Sequence, residues 1–193
     1  EFAKTFFPST ASVLKAPCFP TQFGCYQGAT QYDYNLAKAR ELMKEAGYPD
    51  GFNTTLYAYR QPSTWEDALA GYMSQIGVKA SIQLLQYAAF RTKNNEGVTP
   101  ISFGDWGSYS INDASAILGK FFTGTRDDFT GDAELQAWVK EAGASSEPKT
   151  REELYRKAVE RIMDRMYALP MNSYAVYYAY SSELNFTPFK DEI

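Results

Sequence analysis

The sequence contains no histidine. That absence removes Ser-His-Asp and Cys-His catalysis, and every metal site that needs an imidazole. Cysteine is nearly as scarce, and the two present cannot complete a structural zinc site by themselves. There is no basic tract and no interleaving of basic with aromatic residues. With 19 basic residues against 23 acidic ones the net charge is −4, which disfavours nucleic acid and anionic membrane surfaces as partners. No apolar run reaches the length of a membrane span. No glycine-rich phosphate cradle with Lys, no GxGxxG after a strand and no calcium-loop spacing occurs. No signal-peptide pattern is present. The chain opens at Glu1-Phe2 without Met and ends at Lys190-Asp191-Glu192-Ile193 without a capped helix or polar tail. We therefore expect a piece of a longer protein.

What is abundant is aromatic. Of 193 residues, 15 are Tyr, 13 Phe and 3 Trp, while the 45% hydrophobic and 22% charged content is ordinary for a globular chain. A chain of this length can bury a real core and makes one large domain or two small ones. Tyrosine suits ligand clefts and interfaces, where one end of the side chain is wet, and it also suits plain sheet faces.

Residues 1–31 carry Pro8, Pro17 and Pro20 and no sustained period, so they read as an irregular arm. Within the arm, Cys18 and Cys25 lie in a Pro- and Gly-bearing segment. The even count and the irregular local sequence favour a disulfide over two buried free thiols. From residue 32 to 193 we expect a single α/β lobe. Asp33 is the expected cap of a helix in which Leu36, Ala39, Leu42, Met43 and Ala46 recur at helical spacing, with Gly47 and Pro49 beyond it. Phe52–Tyr59 reads as a strand. Ser63 with Glu66 forms a capping box for a helix carrying Leu69, Tyr72, Met73 and Ile76. Val78–Leu84 alternates strictly and reads as a second strand. A short helix over 87–93 and a strand starting near Val98 follow. This alternation predicts βαβ units and a largely parallel sheet flanked by helices. Beyond it, Ala114–Phe122 reads as helix, and Asp127 and Asp128 as a solvated turn. Asp132 caps another helix. Thr150 with Glu153 opens the longest helix, with Leu154, Ala158, Ile162 and Met166 in register. Tyr174–Tyr180 has the composition of a strand.

The stretch from Ile101 to Asp113 organises the chain. It starts as an apolar strand and becomes a loop holding Asp105, Trp106, Ser108, Tyr109, Asn112 and Asp113, with Gly104 and Gly107 to let the backbone turn. Loops at the carboxyl ends of parallel strands are where α/β sheets collect ligands. A solvated connection whose Trp packs on the core is the plainer alternative. Arg60 stands at the carboxyl end of the first strand, on the same rim. It can hold a ligand carboxylate through two hydrogen bonds, or simply pair with Glu66 or water. Acid–base catalysis would need Asp105 and Asp113 to converge, and nothing in their spacing requires it. We therefore expect no enzyme and no cofactor, with a hydrolase using Asp105 or Asp113 as the rival. A second rival is an interaction module whose Tyr177 and Tyr178 pair with a partner.

Several short motifs, in order, resemble one family. They are Tyr32-Asp33-Tyr34-Asn35-Leu36-Ala37-Lys38-Ala39, then Glu45-Ala46-Gly47-Tyr48-Pro49-Asp50-Gly51-Phe52, Ile76-Gly77-Val78, Trp106-Gly107, and Glu153-Leu154-Tyr155-Arg156-Lys157-Ala158 with Pro170. Over residues 30–185 the chain resembles the C-terminal lobe of family 5 solute-binding proteins of ABC importers, the oligopeptide-, dipeptide- and nickel-binding group. The resemblance implies one lobe of a type II clamshell outside the cytoplasmic membrane. Its partners would be a peptide or other small solute, the permease subunits and its own N-terminal lobe. An opine, an oligosaccharide or a metal chelate is the alternative solute. In dipeptide-binding relatives an Arg after the first strand of this lobe holds the ligand carboxylate, and Arg60 matches it in place. A carboxylate in the Trp-Gly loop holds the ligand amine. The matching position here is Ser108, or Asp105 or Asp113 in a shifted alignment. The family's Asp-Pro in this loop is replaced by Asn112-Asp113. Trp106 and Tyr109 would stack on the solute.

Overall fold

The computed structural model describes residues 11–59, 63–108, 110–174 and 177–187. The chain forms two compact units, a sheet unit of residues 32–105 and a helical unit built from residues up to 31 together with those from 106 onward.

The sheet unit runs α1 (Leu36–Glu45), β1 (Phe52–Ala58), α2 (Thr64–Ser74), β2 (Val78–Leu84), α3 (Tyr87–Asn95) and β3 (Ile101–Ser102). The strands are parallel in the order β2-β1-β3, so the chain passes from β2 over β1 to place β3 on the other side. The register of β1 on β2 starts at Phe52↔Val78. Immediately before each of these residues stands a glycine in left-handed backbone, Gly51 at φ 77° and Gly77 at φ 82°. A Cβ on Gly51 would lie 2.0 Å from the Gly77 carbonyl oxygen, so the close entry of the two strands needs glycine there. Leu56 and Ala58 of β1 are fully buried, and Val78 of β2 and Phe90 of α3 are buried as well.

The helix starts differ from the sequence expectation in three places. Asn35, not Asp33, caps α1, its side chain accepting from Lys38 N at 3.0 Å. Ser63 precedes α2 with φ −75° and ψ 19°, outside the extended region that aims a capping hydroxyl at the helix, and its Oγ donates to Asp67 Oδ2 at 2.9 Å. No capping box forms, and Glu66 is instead buried at 1% exposure. Finally, Thr150 lies inside its helix, which begins at Pro148, a residue whose fixed φ suits a first helical turn.

The helical unit comprises the arm 11–31, α4 (Ser115–Phe121), α5 (Ala133–Ala144), α6 (Pro148–Asp164) and the segment after them. Asp132 caps α5 by accepting from Leu135 N at 3.0 Å. The core is a contiguous apolar cluster to which α4 gives Leu118, α5 gives Leu135 and Val139, and α6 gives Tyr155, Val159 and Ile162. Met166 does not continue α6. It lies past the helix end at φ 49° and is 43% exposed. Among the described residues of the tyrosine-rich stretch, 174 and 177–180, no strand forms, while Ala175 and Val176 lie outside the described residues. Just before the stretch, Asn172 bridges Val13 in antiparallel fashion. Asp127 is not solvated: it is 4% exposed and forms an ion pair with Lys120.

Candidate binding site at the strand ends and the 106–114 loop

In the sheet unit, β1 and β3 end side by side, with Tyr57 opposite Ser102 and Phe103 N donating to Tyr57 O at 2.8 Å. Two residues further on, the Tyr59 hydroxyl donates to Asp105 Oδ1 and accepts from Asp105 N at 3.3 Å. Sequence reasoning missed Tyr59, because a tyrosine ending a strand shows no sign of its partner across the sheet. Its ring is set by Tyr87 and Phe90, each at 5.0 Å between centroids. Gly104 leaves the space for it, since a Cβ there would meet the Tyr59 ring at 3.2 Å. The first turn of α2 reaches the same rim, where Trp65 packs on Phe103 at 6.5 Å. That turn holds Glu66, whose Oε1 has no hydrogen-bond partner among the described residues. Burial pushes the Glu66 carboxyl above its ordinary pKa, opposed by its own backbone N–H and assisted by the neighbouring Asp67 charge.

In the helical unit, Trp106 is half-buried. Its indole meets Phe121 edge-on at 5.1 Å, and the Lys120 ammonium lies over it at 5.7 Å while pairing with Asp127. Ser108 is buried and Ile111 and Asn112 are exposed. Ile111 N donates to Ser108 O at 3.1 Å, closing a turn in which Ser110 takes φ 64°. A non-glycine residue in left-handed backbone is strained unless its surroundings hold it. Asp113 is held on both oxygens. Arg151 Nη2 donates to them at 3.0 and 2.8 Å, and Oδ1 also accepts from Ser115 N at 2.9 Å. The Arg151 guanidinium donates to the Ala142 carbonyl and lies over the rings of Phe23 and Tyr155. Its pKa is raised, first by the Tyr155 hydroxyl and then by Asp113.

Of the seven expected ligand residues, Asp105 thus sits on Tyr59, Trp106 on α4 and Asp113 on α6. Ser108 and Asn112 lie in the turn between, and Arg60 and Tyr109 lie outside the described residues. Cys18 and Cys25 are joined by a disulfide, with Cα atoms 5.8 Å apart.

A three-stranded parallel sheet with helices between its strands, followed by a helical unit, defines an α/β protein of the periplasmic-binding-protein type. Residues 1–129 match the bacterial extracellular solute-binding proteins, family 5 Middle, and the chain belongs to that family. The glutathione-binding protein GsiB of Salmonella typhimurium is 30% identical over 168 residues, covering 79% of this chain and 32% of GsiB. GsiB of Escherichia coli K12 is 27% identical over the same shares. The chain therefore spans about a third of the length of the curated relatives it matches. Among solved structures, DppA of Helicobacter pylori, bound to the peptide STSA, superposes with a TM-score of 0.79 at 25% identity, covering 89% of this chain and 35% of DppA. HbpA2 of Haemophilus parasuis superposes at 0.82 with 24% identity over 89% of this chain and 36% of its own, a likeness of fold.

Proposed function

We propose that this chain is the C-terminal lobe of the substrate-binding component of an ABC importer, working outside the cytoplasmic membrane and passing a peptide or peptide-like solute to its permease. Arg60 takes an anionic group of the solute, and the segment from Asp105 to Asn112 supplies polar and aromatic contacts. Residues 32–193 act as parts of that one lobe, with the arm packed against the part formed by residues from 106 onward. No chemical step is involved. The two acids that a hydrolase would use are already engaged, Asp105 by Tyr59 and Asp113 by Arg151.

The observation that carries this reading is the 30% identity to a glutathione-binding protein over 79% of the chain. Glutathione is a small peptide with two carboxylates, which suits a guanidinium anchor. A structural neighbour holding a tetrapeptide supports the same ligand class. The test is calorimetric titration of the intact protein carrying these residues with reduced glutathione, di- and tetrapeptides, opines and oligosaccharides, repeated on Arg60→Ala. Binding of a peptide that Arg60→Ala weakens by more than about 2 kcal/mol, or roughly thirtyfold, is expected. Tight peptide binding indifferent to Arg60 would leave the function and remove this anchor. Opine or sugar binding would replace the ligand class, and turnover of any candidate would replace the function.

A further inference from the structure

The disulfide between Cys18 and Cys25 closes a loop with a sequence separation of only 7. In the chain-entropy account so short a loop gains less from cross-linking than a long one. Its position suggests a more specific use. Two of the residues it encloses, Gln22 and Phe23, contact 111–114, the segment that ends the proposed ligand loop. Phe23 N donates to Asn112 O at 3.1 Å, Ala114 N donates to Phe23 O at 2.9 Å, and Phe23 thereby bridges Asp113 in parallel fashion. Gln22, 7% exposed, works in two directions. Its Oε1 accepts from Phe19 N inside the disulfide loop at 2.9 Å, and its Nε2 donates to Ile111 O at 2.9 Å. On the far side, α6 closes the sandwich. Arg151 covers the Phe23 ring at 5.0 Å while holding Asp113, and Gly24, at φ 73°, sits where a Cβ would be 2.5 Å from the Tyr155 ring.

The braced segment begins directly after Ser110, the residue in strained left-handed backbone. Such a conformation persists only where neighbouring contacts over-determine it. Contacts from the disulfide loop and from α6 hold the residues that follow Ser110, and within the turn Ile111 N donates to Ser108 O.

We propose that the Cys18–Cys25 loop is a positioning element for the ligand loop, with Gln22 and Phe23 as the residues that transmit the hold, so that solute affinity depends on the disulfide and on Gln22. The affinity half rests on the function proposed above, and the bracing half does not. Gln22→Glu retains the oxygen that Phe19 N uses and replaces the donor facing Ile111 O with a second acceptor, leaving the disulfide in place. Cys18→Ser/Cys25→Ser removes the covalent closure.

The experiment is hydrogen–deuterium exchange on the intact protein and both variants, paired with titration of S-methylglutathione, a probe without a free thiol. We expect exchange at the Phe23, Ile111 and Ala114 amides to accelerate at least tenfold while amides within 133–144 keep their wild-type rates. We also expect the Kd for the probe to weaken at least tenfold. Uniform acceleration, or none, overturns the bracing. If the cysteine variant does not fold, Gln22→Glu alone decides by the same criterion. Local acceleration with an unchanged Kd overturns the positioning of a ligand loop. A wild-type protein that binds no S-methylglutathione and no peptide removes the functional reading and the affinity half with it, while the exchange rates still decide the brace.

Discussion

Arg151 holds Asp113 through one nitrogen shared between both carboxylate oxygens, at 3.0 and 2.8 Å, and in doing so fastens the end of the 106–113 loop to the middle of the helical unit. The pair is neither free in solvent nor sealed from it, with side-chain exposures of 22% and 19%. Its strength therefore falls between an exposed pair and a buried one. We predict that Arg151→Ala and Asp113→Ala each destabilise the protein by about 1–3 kcal/mol, and that the double variant costs clearly less than the two singles added. Arg151→Ala should cost more than Asp113→Ala, because Arg151 also covers Phe23 and Tyr155 and donates to the Ala142 carbonyl. Urea unfolding of the four proteins checks this, and strict additivity would mean that the pair contributes nothing to stability.

Tyr59 and Asp105 tie the carboxyl ends of β1 and β3. Tyr59→Phe keeps the ring against Tyr87 and Phe90 and deletes only the hydroxyl that donates to Asp105. A loss of about 1–2 kcal/mol is expected. Under the proposed function the same change loosens the carboxyl ends of β1 and β3, so peptide affinity should fall as well. Stability lost with affinity intact would place Tyr59 in the scaffold only.

These two relationships show where sequence reading stops. The strand Val78–Leu84 is legible to the residue, because strict alternation is a local property of a half-covered strand. The parallel sheet is legible from the alternation of elements, since parallel strands need crossovers. The cap at Asp132 is legible because its partner is three residues away. Partners that lie 46 and 38 residues apart, as Tyr59–Asp105 and Asp113–Arg151 do, leave no mark on local pattern. For the same reason Asp113 reads as a ligand candidate from composition, while in the fold its charge is answered by α6. The expected capping box at Ser63 and Glu66 fails on backbone angle, which side-chain identity does not specify.

Asp132 does more than cap α5. Its Oδ1 accepts from Leu135 N, and its Oδ2 accepts from Arg161 Nη1 at 3.0 Å and from the Tyr167 hydroxyl at 3.1 Å, so one carboxylate joins the start of α5 to the end of α6. These bonds, the backbone one first, hold its pKa below the ordinary 3.8. A depressed folded pKa means that the stabilisation is present above the unfolded value and is lost as pH falls from about 3.8 through the lower folded one. We expect Asp132→Ala to cost about 1–2 kcal/mol at neutral pH, Asp132→Asn less because the cap survives, and the gap between wild type and Asp132→Asn to close below pH ~3.8. A gap that persists unchanged through strong acid would assign the stabilisation to shape and not to charge.

Glu66 reverses that sign. It lies in the first turn of α2, where the helix dipole favours a carboxylate by a few tenths to about 1 kcal/mol. Yet it is 1% exposed, and its Oε1 has no hydrogen-bond partner among the described residues, which for a buried polar atom costs about 1–3 kcal/mol. Desolvation is the larger influence, and the folded pKa is raised above 4.5. The folded state therefore binds the proton more tightly than the unfolded chain does. The contribution is most favourable below about pH 4.5 and is lost as pH rises through the raised folded value. Glu66→Gln is neutral at every pH and cannot lose it. The stability of Glu66→Gln relative to wild type should therefore increase as pH rises from 4.5 and then level off, reaching a difference on the order of 1 kcal/mol by pH 7. Denaturant midpoints of the two proteins at half-unit steps between pH 4 and pH 8 measure it directly. Parallel curves would mean that Glu66 titrates in the fold as it does in the unfolded chain, and that its burial is offset by a favourable contact to the carboxylate.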